Sequence, residues 1–171
     1  MAQTRRRLLV MRHAKSDWVG GLADRQRPLA ERGRRDASAA GVWLSASGIA
    51  LEAAIVSPAA RTQETWALVS DHLTSVVPKS IDEALYGADW IEMLDVARGL
   101  NPVFDCVVLV AHNPGSAELA QELAAGGSSE AIERISLGYP TLGTAVLEFA
   151  GDWGDLAPGS CELIDFVVPR G

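Results

Sequence analysis

The chain has 171 residues, of which 48% are hydrophobic and 22% charged. This length and composition are typical of one globular domain, which we expect to span residues 1–171. Its net charge of −7 disfavours a broad surface for DNA or RNA. No apolar stretch approaches the roughly 20 residues that a membrane-spanning helix needs. The apolar run after Arg5-Arg6-Arg7 is too short for a signal peptide, so we expect a cytoplasmic protein.

Short apolar runs and helix-like segments alternate along the chain. The predicted strands are Leu8–Met11, Ala53–Ser57, Ser75–Ile81, Cys106–Ala111, Thr144–Phe149 and Glu162–Val168. The predicted helices are Leu29–Ser45, 58–73, Asp89–Gly99 and Pro114–Ala125. This alternation predicts an α/β protein with layers of helices on a mostly parallel central sheet of about six strands.

The C-terminal third carries signals of a different kind. A loop rich in Gly, Asp and Pro joins the last two predicted strands, so we expect them to form an antiparallel edge. We interpret "AAGGSSEA", residues 124–131, as a flexible loop. Cys106 and Cys161 each adjoin an apolar run, which favours buried free thiols over the alternative of a disulfide.

Two of the three histidines come directly after predicted strands. Only Arg12 separates His13 from the end of the first predicted strand. His112 follows "CVVLVA" directly and precedes "NPG". Arg61 lies in the first turn of the helix after another strand. Open α/β sheets bind ligands at the carboxyl ends of their strands, and helix N-termini favour anions. Each residue alone is more often structural, but together they predict a phosphate pocket.

The runs "RHAKSDW", "SPAARTQET" and "AHNPG" resemble the histidine phosphatase superfamily, the phosphoglycerate-mutase-like fold. "MRHAKSDW…DRQRPLAERGRRDA" is similar to its SixA-type phosphohistidine phosphatases, and the resemblance spans about residues 8 to 150. It implies a three-layer α/β/α sandwich and a phosphatase or mutase that uses no metal or other cofactor. It also implies a covalent phosphohistidine intermediate. The chain lacks a long insertion, so we expect a compact protein without a large cap.

The resemblance implies that His13 is the nucleophile and that Arg12, Arg61 and His112 bind the phosphoryl group. Phosphoryl transfer needs an in-line nucleophile and neutralisation of charge on the equatorial oxygens. A neutral imidazole attacks through one nitrogen while a hydrogen bond holds the other. Arginine binds phosphate oxygens in pairs and stays charged.

Further site residues are expected on weaker patterns. Ser16 lies where the family often has Ser or Thr near the phosphate, and we expect Asn113 to contact substrate beside its neighbouring histidine. "DEALYG" resembles the "ERHYG" stretch of phosphoglycerate mutases, which gives Glu83 the position of the proton donor; the alternative is an exposed loop carboxylate. We interpret Asp24 and the arginines of "DRQRPLAERGRR" as a solvated helix face, although Arg27 could border the pocket.

These patterns predict a metal-independent phosphatase. We expect its substrate to be a phosphohistidine-bearing protein, because a site without a lid suits a phosphate displayed on a large molecule. Val19, where many members have Asn, disfavours a mutase. The alternatives are a phosphomonoesterase for a small phosphorylated metabolite, such as a sugar or nucleotide phosphate, and a non-catalytic phosphate-binding module. We expect a monomer or weak dimer with no nucleic-acid or membrane partner.

Overall fold

Seven strands and five α-helices succeed one another over residues 4–171, the part of the chain that the computed structural model describes. The strands are β1 (Arg5–Arg12), β2 (Ala53–Val56), β3 (Lys79–Ile81), β4 (Cys106–Ala111), β5 (Ala124–Gly127), β6 (Thr144–Ala150) and β7 (Cys161–Val167). The helices are α1 (Glu31–Ala46), α2 (Ala60–Ser70), α3 (Trp90–Arg98), α4 (Gly115–Leu123) and α5 (Ser129–Ser136). Within the described residues, no helix has the length and apolar character needed to cross a membrane.

All seven strands form one sheet in the order β3-β2-β4-β1-β6-β7-β5. Parallel pairs join β3, β2, β4 and β1, and β5 is parallel to β7. β6 runs antiparallel to both β1 and β7. The sheet is therefore mostly parallel, as predicted, and has one strand more than predicted. The antiparallel pairing of the last two strands is confirmed, but β5 rather than β7 forms the edge.

Alternate residues of β1 face opposite sides of the sheet because successive side chains of a strand point to opposite faces. Leu8 and Val10 pack in a core with α3, α4 and α5, whereas Leu9 and Met11 pack in a second core with α1 and α2. All four side chains are fully buried. The protein is thus a three-layer α/β/α sandwich, as the family resemblance implies.

The interpretation of residues 124–131 as a flexible loop is wrong. Residues 124–127 form β5, and Ser128 caps the helix that follows. Alanine and glycine have low strand propensity, so the strand depends on its pairing with β7. A Cβ at Gly127 would lie 2.1 Å from the carbonyl oxygen of Leu163, so glycine allows the close backbone approach that this pairing needs.

Smaller differences concern element ends and the cysteines. The strand predicted over 75–81 is limited to β3, because Pro78 has no N–H to donate to a neighbouring strand. The helix predicted over 58–73 is shorter at both ends. Cys106 and Cys161 are buried free thiols, as expected, and burial raises the pKa of Cys106 to about 12.

Candidate active site

The carboxyl ends of β1 and β4 bring the two predicted histidines together. Arg12 and Ala111 are partners at the ends of these neighbouring parallel strands, so the residues that follow them, His13 and His112, lie side by side. Their ring centroids are 5.2 Å apart. Arg61, in the first turn of α2, reaches the same place: its Nη2 lies 3.4 Å from Nδ1 of His112. The structure therefore brings together His13, His112 and Arg61, three of the residues predicted to form the pocket.

His13 is held in one tautomer. Its Nδ1 donates a hydrogen bond of 2.7 Å to the carbonyl oxygen of Ala14, which can only accept, so the proton is on Nδ1 and the lone pair is on Nε2. Burial lowers the pKa of His13 to about 3, and the nearby positive groups of His112, Arg61 and Arg12 act in the same direction. At neutral pH the ring is uncharged and its Nε2 is nucleophilic.

A hydrogen bond at Nε2 fixes the orientation of the His112 ring. Nε2 lies 2.7 Å from the hydroxyl of Ser57, a fully buried residue just after β2. Burial, followed by the charge of Arg61, lowers the pKa of His112 to about 4. A serine hydroxyl both donates and accepts, so Ser57 can stabilise either tautomer and the protonated ring. A phosphoryl dianion beside His112 would raise this pKa and convert Nδ1 into a hydrogen-bond donor toward that anion.

The two arginines present guanidinium groups that are held by the backbone. Nη1 of Arg12 donates to the carbonyl of Tyr139 at 2.9 Å, while its Nε is buried and has no hydrogen-bond partner within the described residues. Nη1 of Arg61 donates to the carbonyl of Asp24 at 2.8 Å. Thr65 ties these elements together, because its hydroxyl donates to the carbonyl of Arg61 and accepts from the N–H of Ala14. The cationic groups are thereby preorganised for an anion.

Asp24 belongs to this cluster, contrary to its interpretation as part of a solvated helix face, and Arg27 borders it, which was the alternative for that residue. Asp24 begins a short 3₁₀ helix, and its carboxylate accepts hydrogen bonds from the hydroxyl of Tyr86 at 2.8 Å and from Nη2 of Arg61 at 3.0 Å. Arg27 donates to the same carboxylate at 3.1 Å and to the hydroxyl of Ser16 at 2.8 Å. The Tyr86 hydrogen bond, with those of the two arginines, lowers the pKa of Asp24 to about 2.

Two of the remaining predicted residues lie close to the cluster and one lies apart. Ser16 contacts it through Arg27. Asn113 donates through Nδ2 to the carbonyl of Tyr139 at 2.8 Å, the same carbonyl that Arg12 binds. Glu83 lies in a short 3₁₀ helix at the rim with 69% of its side chain exposed, and its carboxylate accepts a 2.6 Å hydrogen bond from Arg25. The structure does not bring Glu83 into contact with His13.

The cluster has the chemistry of an anion site. It combines arginines, uncharged histidines and backbone-anchored donors. Across residues 4–171 there is no group of three or more His, Cys, Asp or Glu residues that could hold a metal ion.

Comparison with known proteins shows the family of this chain. Residues 8–98 match the histidine phosphatase superfamily (branch 1), and the chain belongs to that superfamily. The uncharacterized protein Rv1276c of Mycobacterium tuberculosis (strain ATCC 25618 / H37Rv) is 40% identical over 162 residues, which cover 94% of this chain and 100% of the relative. The predicted family is confirmed, and with it the predicted enzyme class, a phosphatase.

Solved structures share the fold over nearly the whole chain. The protein designated phosphohistidine phosphatase SixA from Nakamurella multipartitia superposes with a TM-score of 0.84 at 28% identity and covers 99% of both chains. The protein histidine phosphatase SixA complexed with tungstate superposes with a TM-score of 0.77 at 21% identity, covering 95% of this chain and 97% of that one. The latter similarity concerns the fold alone.

Proposed function

We propose that this phosphatase removes the phosphoryl group from a phosphohistidine-bearing protein, through a covalent intermediate on Nε2 of His13 and without a metal ion. The observation that carries the proposal is the hydrogen bond from Nδ1 of His13 to Ala14, which leaves Nε2 with a free lone pair on an uncharged ring. The ring of His13 lies 5.2 Å from that of His112, centroid to centroid, and the charges of Arg61 and Arg12 act on it by lowering its pKa. A nucleophile surrounded by preorganised cationic donors is the arrangement that phosphoryl transfer requires.

The reaction consists of two displacements at phosphorus. In the first, the Nε2 lone pair of His13 forms a bond to phosphorus while the bond to the substrate nitrogen breaks. The leaving imidazole, already protonated on its other nitrogen, keeps that electron pair and departs as the neutral ring. In the second, water attacks the phosphorus and its protons pass to the phosphate and the solvent, while the bond to His13 breaks with its electron pair returning to Nε2. Arg12, Arg61 and protonated His112 neutralise charge on the equatorial oxygens in both steps.

A protein substrate is favoured over a metabolite because only short pieces of regular structure, the 3₁₀ turns beginning at Asp24 and Glu83, flank the site within the described residues. The similarity to the protein of Nakamurella multipartitia designated SixA, which is 28% identical and covers 99% of both chains, favours the same substrate class. A small-molecule phosphomonoesterase is the alternative outcome of the substrate test.

The mechanism is tested by labelling. Wild-type protein incubated briefly with a ³²P-labelled histidine-phosphorylated protein and quenched in alkali should carry label on His13, since phosphohistidine survives alkali and an acyl phosphate does not. His13→Ala should lose label and turnover while retaining its circular dichroism spectrum. His72→Ala, which removes an exposed histidine, is the matched control and should retain both. Label on a carboxylate, or turnover that disappears in EDTA, would refute the proposed mechanism.

A further inference from the structure

An apolar patch lies in the loop between β1 and the 3₁₀ helix at Asp24. Trp18 is 80% exposed, Val19 44% and Leu22 42%, so three large apolar side chains within five residues face solvent. Large exposed apolar side chains that lie this close together in the chain are candidates for an interaction site, whereas single exposed apolar residues are ordinary. We call Trp18, Val19 and Leu22 the loop patch.

One guanidinium connects the loop patch to the phosphoryl site. The Cζ atom of Arg27 lies 3.6 Å from the centroid of the Trp18 ring, within the range of a cation–π contact. The same side chain donates to the hydroxyl of Ser16 and to the carboxylate of Asp24, which in turn binds Arg61. Its Nε donates to the backbone carbonyl of Asp17, at the base of the loop. Through Arg27, Trp18 of the loop patch is therefore linked to the side chains that we propose bind the phosphoryl group.

The chemistry of the loop patch selects a polypeptide over a metabolite. Sugar phosphates are polar throughout and gain little from aliphatic side chains such as Val19 and Leu22. A nucleotide base could stack on Trp18, but one face of that ring already carries Arg27. A protein surface offers apolar side chains to all three residues at once, and tryptophan and arginine are enriched at the energetic centres of protein interfaces.

We infer that the loop patch docks the polypeptide around the phosphorylated residue, so that it contributes to selection of a protein substrate. This inference rests on the proposed function. In the bound state, the phosphoryl group would lie at His13 while apolar side chains of the partner cover Trp18, Val19 and Leu22. Because a free phosphorylated amino acid is too small to cover the patch, only the protein substrate should depend on it.

The test compares two substrates on one set of variants. The substrates are a histidine-phosphorylated protein prepared with phosphoramidate and free phosphohistidine. The double variant Val19→Ser/Leu22→Ser leaves the Arg27 contacts untouched and should lower kcat/KM for the phosphoprotein about tenfold or more, because it removes apolar area from the interface. Its kcat/KM for free phosphohistidine should stay within about twofold of wild type. Val76→Ser, at an apolar residue that is 97% exposed elsewhere, is the matched control and should alter neither value.

Each outcome decides the inference. If the double variant retains wild-type kcat/KM on the phosphoprotein, the docking role is overturned while the proposed function stands. If it loses turnover equally on both substrates, the loop supports the site and does not dock the partner. If the wild-type protein hydrolyses free phosphohistidine or an alkyl or nucleotide phosphate but no histidine-phosphorylated protein, the proposed substrate class fails and the docking role fails with it. Trp18→Ala should behave like the double variant on the phosphoprotein.

Discussion

The carboxylate of Asp24 lies 3.0 Å from Nη2 of Arg61, on the guanidinium group that we assign to binding the phosphoryl group. The Asp24 pKa of about 2 means that this carboxylate is ionised at neutral pH. Arg61 thus already holds an anion of the protein itself. An arriving phosphoryl group must share Arg61 with Asp24 or displace it, which should limit the affinity of the site for free phosphate.

Asp24→Asn should therefore strengthen inhibition by inorganic phosphate and by vanadate. Removing one negative charge that is hydrogen-bonded to Arg61 should lower both inhibition constants by about tenfold, the equivalent of about 1.4 kcal/mol. Inhibition constants from steady-state kinetics on free phosphohistidine provide the measurement. Asp17→Asn removes a carboxylate from the same loop that makes no contact with Arg61 and should leave the constants unchanged. Weaker inhibition of Asp24→Asn would instead show that Asp24 orients Arg61 for binding.

The positions of His13 and His112 could be predicted from sequence because local patterns determine them. Each residue follows a short apolar run, and short apolar runs are typical of buried strands in a parallel sheet. Neighbouring parallel strands end at the same edge, so residues that follow them must meet. Arg61 was predictable for the same reason, since its helix starts just after β2.

The places of Asp24 and Arg27 could not be predicted from such patterns. Both depend on a loop that folds back across the sheet edge, and the contact from Asp24 to Arg61 joins residues far apart in the chain. A charged run such as "DRQRPLAERGRR" has the same pattern whether it faces solvent or a site. β5 was missed on similar grounds, because tertiary pairing outweighs the low strand propensity of alanine and glycine.

Ser57 should act as a positioning residue for His112. Ser57→Ala removes the hydroxyl that lies 2.7 Å from Nε2, so the ring loses its fixed orientation and its partner when protonated. We expect kcat to fall about tenfold or more with little change in KM, because the lost interaction matters most when charge develops at phosphorus. Stopped assays on free phosphohistidine across pH 5–8 provide kcat and KM.

Two further variants separate positioning from structure. Ser57→Thr retains the hydroxyl and should recover most of the lost kcat. Ser116→Ala removes a buried hydroxyl that has no hydrogen-bond partner among the described residues, so it should leave kcat near the wild-type value. If Ser57→Ala and Ser116→Ala lose activity and thermal stability to the same extent, Ser57 has no role specific to His112.

The two site histidines should not titrate near neutral pH. Their pKa values of about 3 and about 4 lie below the ordinary 6.5, so the C–H resonances of His13 and His112 should stay at their neutral positions between pH 5 and 8. Vanadate or phosphate should raise the His112 pKa, and its resonances should then shift within this range. NMR titration with and without the anion tests both statements. A resonance of His13 or His112 that titrates near pH 6.5 in both conditions would contradict the assigned burial effect.

The lowered pKa values of His13 and His112 also affect the free energy of unfolding. Because the folded pKa values of His13 and His112 lie below the unfolded value of 6.5, the unfolded chain binds more protons in the interval between them. The free energy of unfolding should therefore decrease as pH falls from about 6.5 toward about 4. The pKa of Asp24 is shifted in the same direction, so its contribution to stability is also lost as pH falls, but only between 3.8 and about 2. Thermal melts of wild type and His13→Ala at pH 7 and 5 should show a smaller acid-induced loss in the variant.

Substitution of Glu83 should distinguish phosphate esters from phosphohistidine as substrates. Cleavage of a phosphate ester expels an alkoxide, which needs a proton as the bond breaks, whereas cleavage of phosphohistidine expels an imidazole that can already carry one. If Glu83 is the acid, Glu83→Gln should slow hydrolysis of an alkyl phosphate by about 10²–10⁴-fold. The same change should leave kcat/KM for phosphohistidine nearly unaltered. The measurement is kcat/KM on both substrates at several pH values.

The rim position of Glu83 makes a matched control available. Arg25→Gln removes the 2.6 Å partner of the Glu83 carboxylate but leaves the carboxylate itself, so it separates loss of the ion pair from loss of the acid. Activity on the ester should then depend on Glu83 and not on Arg25. Equal losses on both substrates for Glu83→Gln would mean that Glu83 supports the site and does not donate a proton. Unchanged kcat/KM on both would identify an exposed loop carboxylate. The ester reaction, if present, would then need its proton from another group, such as the Tyr86 hydroxyl, which is hydrogen-bonded to Asp24 on a ring 5.7 Å from that of His112.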